Sequence, residues 1–311
     1  MKKRNALPTI CLIGPTATGK TDICIKLAES LPIEVISIDS ALVFRHMNIG
    51  TAKPNASIFS DCPHHLIDII DPTDHYSVAK FRTDAKQLTV DIKKRGNIPV
   101  LSGGTMLYYK ALKDGLSELP GRDHRVRESI NTDIQEFGLH EMHKRLMELD
   151  PASAKKINPN DSQRIQRAIE VFELTGTPMS KTIGQSIDNE EDIDSVDIAL
   201  IPSSRSTLYE KINDRFEKML NDGLIDEVEK LKHSWNLSPD LPSMRCVGYR
   251  QVWEYLEGSY DRETLFEKGA AASRQLAKRQ LTWLRGFELQ HRFDPFHDGT
   301  FEKIKIIVEN L

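Results

Sequence analysis

The stretch "PTICLIGPTATGKTDICIKLAES", residues 8–30, decides the fold. It opens with "PTICLIG" (8–14), a short apolar run that predicts a β-strand, and it closes with "GKTDICIKLAES", which has a helical pattern. The residues at the junction, Gly14, Gly19, Lys20 and Thr21, match the pattern G-x-x-x-x-G-K-[ST]. Such a loop turns backbone N–H groups toward an anion, and the helix N-terminus adds positive charge. The stretch therefore predicts a strand, a phosphate-binding loop and a helix.

Strands and helices continue to alternate after this unit. The segment "EVISID" (34–39) predicts a second buried strand, and "IPVLSGG" (98–104) predicts a third. A helix is predicted between them over residues 76–96, and another follows over residues 105–115. This alternation favours a parallel, doubly wound α/β sheet.

The pattern changes after residue 115. Helical patterns separated by turn signals follow, until "DIALIP" (197–202) predicts a returning core strand, and the chain beyond it is mostly helical. We therefore predict an α/β fold with a P-loop NTPase-like parallel sheet core, a helical insertion and a helical C-terminal part. The core would comprise residues 1–115 and 195–311, and the insertion residues 116–194.

Size and cysteine content restrict the class of protein. A chain of 311 residues with 39% hydrophobic residues can bury one large core and a smaller domain, but not three full domains. The four cysteines show no CxxC spacing, which favours a reducing compartment. The apolar run near the N-terminus is short and broken by Pro8, so neither a signal peptide nor a membrane span is expected. We expect a cytoplasmic protein, a monomer, with no membrane partner.

The formal net charge of −4 argues at first against a nucleic-acid partner. However, the segment 188–197 carries six acidic residues and no Lys or Arg, so the rest of the chain has a small positive balance. We predict that this acidic segment is an exposed connection. Basic residues cluster at 122–127, 163–167 and 273–285, where they form either solvated helix faces or a nucleic-acid surface.

Asp39 is the acidic residue at a strand end in the region of the phosphate loop. A motor or switch NTPase would also need an acid on a neighbouring strand to organise Mg²⁺ and the attacking water, and the strand at 98–104 has none. Ligands of such sheets bind at the carboxyl ends of the strands, where Asp39 lies. Its candidate roles are general base, metal partner, or cap of the next segment. The pattern favours a group-transferase over a motor.

Arg215 is the second candidate for anion binding. In "STLYEKINDRFEKML" (206–220), Thr207 and Glu210 match a capping box, and Arg215 falls on the apolar stripe of the predicted helix. A guanidinium in that position needs an anionic partner. The partner is either a structural Asp or Glu, or a bound phosphate.

Seven motifs in order carry a resemblance over residues 14–286: "GPTATGKT", "ISIDSALVFRHMNIGTAKP", "PHHLIDI", "VLSGGTMLYYKAL", "NDSQRIQRAIEV", "RCVGYRQVW" and "RQLAKRQLTWLRG". With them the chain resembles the bacterial tRNA dimethylallyltransferase (tRNA isopentenyltransferase, or IPP transferase) family. The resemblance implies transfer of a dimethylallyl group from dimethylallyl diphosphate to N6 of adenosine 37 in tRNA, with release of diphosphate and with Mg²⁺ as cofactor. It also implies a P-loop-type core with a helical insertion.

The resemblance implies roles for individual residues. Lys20, Arg215 and Thr21 with Mg²⁺ would stabilise the leaving diphosphate, with the Thr21 hydroxyl as a metal ligand, and Asp39 would accept the N6 proton. The implied diphosphate-binding residues are Gly14, Pro15, Thr16, Ala17, Thr18, Gly19, Lys20, Thr21 and Arg215. The implied contacts with the anticodon stem-loop of tRNA are Asp39, Ser40, Ala41, Leu42, Thr105, Arg127, Gln163, Arg164, Ile165, Gln166, Arg167, Arg245, Cys246, Val247, Gly248, Tyr249 and Arg250. Many relatives have Ser in place of Thr18 and Gln in place of Leu42.

Three other functions remain open alternatives. A small-molecule P-loop kinase could use the basic segment 122–127 as a lid over ATP. An adenylate isopentenyltransferase would act on AMP, and it would not need a long basic C-terminal surface. A non-enzymatic RNA-binding protein would leave the phosphate loop, Asp39 and Arg215 without a task. His64 and His65 are adjacent and point apart, and neither has a partner at metal-ligand spacing, so no metal site is predicted there.

Overall fold

The computed structural model describes residues 7–55, 57–183 and 193–311. The chain divides into two compact units. The core unit consists of Met1–Leu112 and Ile193–Leu311, and the insert unit is Lys113–Asp192. Of the acidic segment predicted to be an exposed connection, residues 188–192 lie outside the described residues.

One six-stranded parallel sheet forms the centre of the core unit, in the order β3-β2-β4-β1-β5-β6. Its strands are β1 (Ile10–Ile13), β2 (Ile33–Ile38), β3 (His64–His65), β4 (Ile98–Gly103), β5 (Val196–Leu200) and β6 (His291–Phe293). The predicted parallel α/β fold is confirmed. The chain after the returning strand is mostly helical, as expected, but β6 completes the sheet there, and neither β6 nor β3 at the other edge was predicted.

The helices, in chain order, are α1 (Lys20–Ala28), α2 (Ile58–Asp61), α3 (Val78–Lys94), α4 (Met106–Asp114), α5 (His124–Phe137), α6 (Leu139–Leu149), α7 (Pro151–Ala154), α8 (Ser162–Thr175), α9 (Met179–Thr182), α10 (Arg205–Asn221), α11 (Leu224–Ser234), α12 (Tyr249–Leu256), α13 (Arg262–Arg285) and α14 (Thr300–Glu309). Within the residues that the structure describes, none of these helices combines the length and the apolar character needed to span a bilayer.

Both faces of the sheet are covered, which explains why its central strands read as continuous apolar runs. Side chains alternate between the faces along each strand. Ile13 of β1 packs with Phe81 of α3 and Tyr109 of α4 on one face. Leu12 packs with Leu27 of α1 and Ile304 of α14 on the other face. The sheet is therefore a three-layer α/β/α arrangement, and the carboxyl ends of its strands are free to form a site.

The start of α10 differs from the prediction. Ser204, not Thr207, is the N-cap: its backbone is extended and its Oγ accepts a hydrogen bond from the Thr207 amide at 3.3 Å. The helix therefore begins at Arg205, before the predicted capping box. Its apolar face is as predicted, since Ile212 and Phe216 are buried.

The insert unit has a core of its own. Ile130 of α5, Leu146 of α6 and the α8 residues Ile165 and Ile169 form one buried apolar cluster. The helix α8 ends where a glycine was expected to end it, at Gly176, which has a φ of 66°. The helical character predicted for this part of the chain is thus present in the structure.

Candidate active site

The phosphate loop connects β1 to α1 at the carboxyl edge of the sheet. Gly19 is the N-cap of α1 and has a φ of 73°, a left-handed conformation that favours glycine. The Thr18 hydroxyl donates to the Pro15 carbonyl at 2.8 Å and holds the loop closed. Ala17, also within the loop, has a φ of 63°, which is uncommon for a residue with a side chain. The sequence thus forms a tight, strained turn at the predicted anion site.

Lys20 reaches back over this loop. Its Nζ donates to the carbonyl oxygens of Gly14 at 2.9 Å and Pro15 at 2.6 Å. Burial, and next the positive charge of Arg215, lower the pKa of Lys20 to about 8, although the Asp39 carboxylate partly offsets them. Lys20 therefore places a titratable positive charge at the loop.

Asp39 follows directly after β2, on the same edge of the sheet. Its Oδ1 accepts hydrogen bonds from the amides of Ala41 at 2.8 Å and Leu42 at 3.4 Å, so Asp39 does cap the next segment. Within the described part of the chain, its Oδ2 accepts no hydrogen bond. The neighbouring Ser40 amide donates to Thr105 Oγ1 at 3.0 Å, which ties this turn to the start of α4. One carboxylate oxygen thus fixes the loop, and the other can take a proton or a metal.

Arg215 extends from α10 into the same region. Neither a structural Asp nor a Glu forms a salt bridge with it among residues 7–55, 57–183 and 193–311, so the structural partner considered for it is not found there. Burial lowers the pKa of Arg215, and the carboxylates of Asp39 and Asp22 raise it in part. The guanidinium is half-buried and is available to an anion.

These groups line one cavity of about 1110 Å³. It is bordered by the phosphate loop from Thr16 to Thr21, by Asp39 and by Arg215. Several of the predicted tRNA-contacting residues also line it, namely Ser40, Ala41, Leu42, Thr105, Arg245, Cys246 and Val247. Among the cavity residues that sequence reasoning missed are Tyr108, Arg279, Gln280 and Trp283.

Two of the cavity residues are held in the neutral state by their surroundings. Burial, and then the Asp39 charge, raise the pKa of Cys246 to about 12. The same two causes raise the pKa of Tyr108, whose ring stacks on Phe81 at a centroid distance of 4.1 Å. Cys246 is therefore a thiol rather than a nucleophilic thiolate near neutral pH.

Part of the "RCVGYR" motif has a structural role. Tyr249 is fully buried, and its hydroxyl donates to Glu227 Oε1 at 2.5 Å. Glu227 Oε2 also accepts hydrogen bonds from the amides of Asn48 and Ile49 at 3.0 and 2.8 Å. A direct contact of the Tyr249 side chain with tRNA is therefore incompatible with this structure.

Gly248 and Arg250 of the same motif differ in their exposure to solvent. Gly248 is buried as the N-cap of α12. Arg250 is exposed, and its Nε donates to Glu254 at 3.0 Å. Neither of them lines the cavity.

The insert unit holds two of its predicted tRNA-contacting arginines in an ion-pair cluster. The side chain of Glu170 is fully buried and accepts bonds from Arg127 Nε at 2.7 Å, Arg127 Nη2 at 2.9 Å and Arg167 Nη1 at 2.6 Å. Arg167 Nη2 also donates to the Pro120 carbonyl at 2.6 Å. These contacts give both arginines a structural task, and their contact with tRNA stays a prediction.

The rest of the predicted segment 163–167 divides into buried and exposed positions. Ile165 is fully buried in the apolar cluster of the insert unit, so a side-chain contact with tRNA is incompatible with its position. Gln163 and Arg164 are exposed. Gln166 is half-buried and donates to Asn131 at 2.6 Å.

The oxygen donors near the phosphate loop suit a small hard cation. The Thr21 hydroxyl stands at the junction of the loop and α1, and the carboxylates of Asp22 and Asp39 border the same cavity. Mg²⁺ takes few protein oxygens and completes its shell with water and substrate phosphates, which fits this donor set. At the other candidate position, His64 Nδ1 bonds the Cys62 carbonyl and His65 Nε2 bonds Glu34, so each histidine has a structural partner.

Family models and relatives agree on the kind of protein this chain resembles. The IPP transferase family model matches residues 42–287, and the isopentenyl transferase model matches residues 8–68. A tRNA dimethylallyltransferase of Nitrosospira multiformis is 50% identical, over 100% of this chain and 97% of the relative. One of Paraburkholderia phytofirmans is 54% identical, over 90% of each chain.

Solved structures give the same result. A tRNA isopentenylpyrophosphate transferase of Bacillus halodurans is 35% identical with a TM-score of 0.69, over 97% of this chain and 96% of that one. A eukaryotic dimethylallyltransferase, described as acting on tRNA, is 25% identical with a TM-score of 0.78, over 97% of this chain and 78% of that one. The phosphate loop, the parallel sheet and these matches together show that the chain belongs to the IPP transferase family.

Proposed function

We propose that this protein transfers a dimethylallyl group from dimethylallyl diphosphate to N6 of adenosine 37 in the anticodon loop of tRNA, releasing diphosphate. The observation that carries the proposal is the meeting of Lys20, Arg215 and Asp39 in one cavity beside the phosphate loop. Two positive groups suit a diphosphate, and a carboxylate with one unengaged oxygen suits a proton acceptor. The names of its relatives support the same reaction.

The phosphate loop acts on the leaving group of the reaction, the diphosphate. As the bond between the donor's C1 and its diphosphate oxygen breaks, negative charge grows on the diphosphate. Backbone amides of the loop, Lys20 and Arg215 would face that charge, and donors fixed in advance stabilise it strongly. Mg²⁺, held by the Thr21 hydroxyl and the diphosphate, would supply further charge neutralisation.

The nucleophile is the exocyclic amine of adenine, which is weak because its lone pair is delocalised into the ring. As N6 forms its bond to C1 of the dimethylallyl group, it must lose a proton. Asp39 Oδ2 would accept that proton, and this assignment is supported by the engagement of Oδ1 with the Ala41 and Leu42 amides. The dimethylallyl group is thus transferred to N6, and the N6 proton is transferred to the Asp39 carboxylate.

The adenosine must leave the anticodon-loop stack to enter the cavity, at a cost of a few kcal/mol. Arg245, which is exposed at the cavity, and the exposed Arg164 of the insert unit are suited to bind the tRNA backbone. We propose that the protein acts in the cytoplasm as a monomer on the anticodon stem-loop. Release of the product would then restore the base to the loop.

The reaction is tested by incubating the protein with unmodified tRNA, Mg²⁺ and labelled dimethylallyl diphosphate, followed by digestion to nucleosides. Parallel reactions replace tRNA by AMP, or the donor by ATP. We expect label in N6-dimethylallyladenosine, from tRNA only. Label transferred to AMP instead would identify an adenylate isopentenyltransferase, and ATP consumption without prenyl transfer would identify a kinase.

A further inference from the structure

Gln280 of α13 connects two parts of the active site that lie far apart in the chain. Its Oε1 accepts a hydrogen bond from the Thr16 amide of the phosphate loop at 3.0 Å. Its Nε2 donates to the carbonyl of Gly104, just after β4, at 2.8 Å. The side chain is buried, with the residue only 8% exposed. The loop and the end of β4 are therefore joined through one side chain of a late helix.

The backbone partners fix the orientation of this amide group. An amide nitrogen such as that of Thr16 can only donate, and a carbonyl such as that of Gly104 can only accept. Rotating the Gln280 amide by half a turn would oppose donor to donor and acceptor to acceptor. Both hydrogen bonds are therefore made in only one of the two orientations of the amide.

Close packing on the Gly104 side restricts the position of Gln280 further. A Cβ added at Gly104 would lie 2.4 Å from Gln280 Nε2 and 3.1 Å from the Gly14 carbonyl oxygen. Only a residue without a side chain allows the Gln280 amide to approach this closely. The absence of a side chain at Gly104 and the presence of the amide at Gln280 thus serve the same contact.

The neighbours of Gln280 along α13 face the cavity. Arg279 and Trp283 are exposed and line it, whereas Ala277 and Leu284 are buried. Gln280 therefore lies between the buried face and the cavity face of this helix. The same helix that borders the cavity also holds the phosphate loop.

We propose that Gln280 is a positioning residue for the phosphate loop. By engaging the Thr16 amide, it holds the loop so that the following amides, up to Thr21, face the diphosphate before it binds. Pre-ordering of a loop reduces the entropic cost of binding, so the expected gain is in donor affinity. The inference rests on the proposed function, because it assigns the loop to a diphosphate donor.

The test is steady-state kinetics of Gln280→Met, which keeps the size of the side chain and removes both hydrogen bonds. We expect the KM for dimethylallyl diphosphate to rise about tenfold, the equivalent of one to two net hydrogen bonds. The KM for tRNA and kcat should stay within about threefold, because the interaction acts on donor binding. Gln275→Met is the matched control on the same helix: Gln275 is exposed, and its KM values should equal those of the wild type.

Gly104→Ala tests the same contact from the other side, and it carries the test if Gln280→Met does not fold. Its new methyl must displace the Gln280 amide, so it should also raise the donor KM. In the double variant the two effects should not multiply, because either change alone breaks the contact. A donor KM unchanged in both variants, or a rise in both KM values alike, would overturn the positioning role. If the wild-type protein transfers no prenyl group, the proposed function fails before any variant is measured.

Discussion

Lys20 carries a charge whose loss should be visible in the pH dependence of the reaction. Burial and the nearby Arg215 lower its pKa from 10.5 to about 8. A lowered pKa means that the ammonium is lost as the pH rises through about 8, where an ordinary lysine stays charged. We therefore expect kcat/KM for dimethylallyl diphosphate to fall on the alkaline side of that value, since this parameter reports ionisation in the free enzyme.

Lys20→Arg provides the comparison for this profile. A guanidinium stays charged throughout that pH range, so the variant should lack the alkaline fall even where its different geometry lowers the absolute rate. A wild-type profile that is flat across the range, or an unchanged fall in Lys20→Arg, would assign the ionisation to another group.

Asp39 has two tasks, and Asp39→Asn separates them. Asparagine keeps an oxygen that can accept from the Ala41 amide but cannot take up the N6 proton. We expect the rate of prenyl transfer to fall by roughly 10²- to 10⁴-fold, with tRNA binding within about threefold of the wild type. Asp261→Asn, which changes the N-cap of α13, is the control and should keep the wild-type rate. Near-normal turnover by Asp39→Asn would exclude the base role.

At this scale the sequence predicted charged residues better than neutral ones. Lys20 and Asp39 are found from a loop motif and a strand end, and Arg215 is found because a charge stands on an apolar stripe. Gln280 shows a weaker form of the Arg215 pattern, in which a polar residue stands on an apolar helix stripe. It shares a buried stripe with Ala277 and Leu284 at helical spacing. A neutral amide can be satisfied by any backbone group, so the sequence does not say which one it meets.

The element α8 depends on the buried carboxylate of Glu170. Burial would raise its pKa, but hydrogen bonds from Arg127 and Arg167 outweigh this and lower it, so Glu170 is an anion. Glu170→Gln leaves two guanidinium groups without their counter-charge, and we expect a loss of about 3 kcal/mol in the stability of the insert unit. Hydrogen exchange of the α8 amides measures it. Glu173→Gln on the same helix should cost less than about 1 kcal/mol, because its partner Arg145 is more exposed.

The outer face of α8 offers a cleaner test of tRNA binding than Arg167. Removing Arg167 would disturb Glu170 and tRNA together, whereas the Arg164 side chain is 69% exposed. We expect Arg164→Ala to weaken tRNA binding and to lower the slope of log Kd against log salt concentration by about 1, with unchanged thermal unfolding. Lys218→Ala, an exposed cation of α10 outside the implied contacts, should leave the slope unchanged. An unchanged slope in Arg164→Ala would remove that residue from the tRNA surface.

Helices with a strong hydrophobic periodicity and strands formed by a buried apolar run were predictable from the sequence. The strands β3 and β6 were not, because "HH" and "HRF" are too short and too polar to show a pattern. They are strands because of the neighbours with which they pair, which is information held elsewhere in the chain. The start of α10 was misplaced because four Ser and Thr residues lie around it, Ser203, Ser204, Ser206 and Thr207, and each can cap a helix.

The two units of the molecule have separate apolar cores, so we expect the insert unit to be stable on its own. The apolar cluster of the insert unit, with Ile130, Leu146 and Ile169, belongs entirely to residues 113–192. We expect these residues, expressed alone, to be helical by circular dichroism and to unfold in one cooperative transition. The Glu170→Gln variant of this fragment should unfold at a lower temperature. A fragment that is helical but melts without cooperativity would show that its core is insufficient on its own.

The overall class of the molecule was predictable from the alternation of strands and helices, whereas the order of the strands was not. The sheet places β1 between β4 and β5, so Ile10 pairs with both Val100 and Val196. Parallel pairing requires crossovers that the local sequence does not specify. The net charge of −4 was likewise uninformative, because it averages an acidic segment with basic clusters.

The position of β1 has a consequence for biosynthesis on the ribosome. Ile10 is translated before the insert unit, but its partner Val196 is translated only after it. The side of β1 that pairs with β5 must therefore wait for its partner, while the insert unit can already collapse around its own core. The phosphate loop waits longer still, because Thr16 meets Gln280 only once α13 has been translated. A nascent chain stalled before α13 would thus carry the loop's sequence without its shape, and the anion site would form only after α13 has been synthesised.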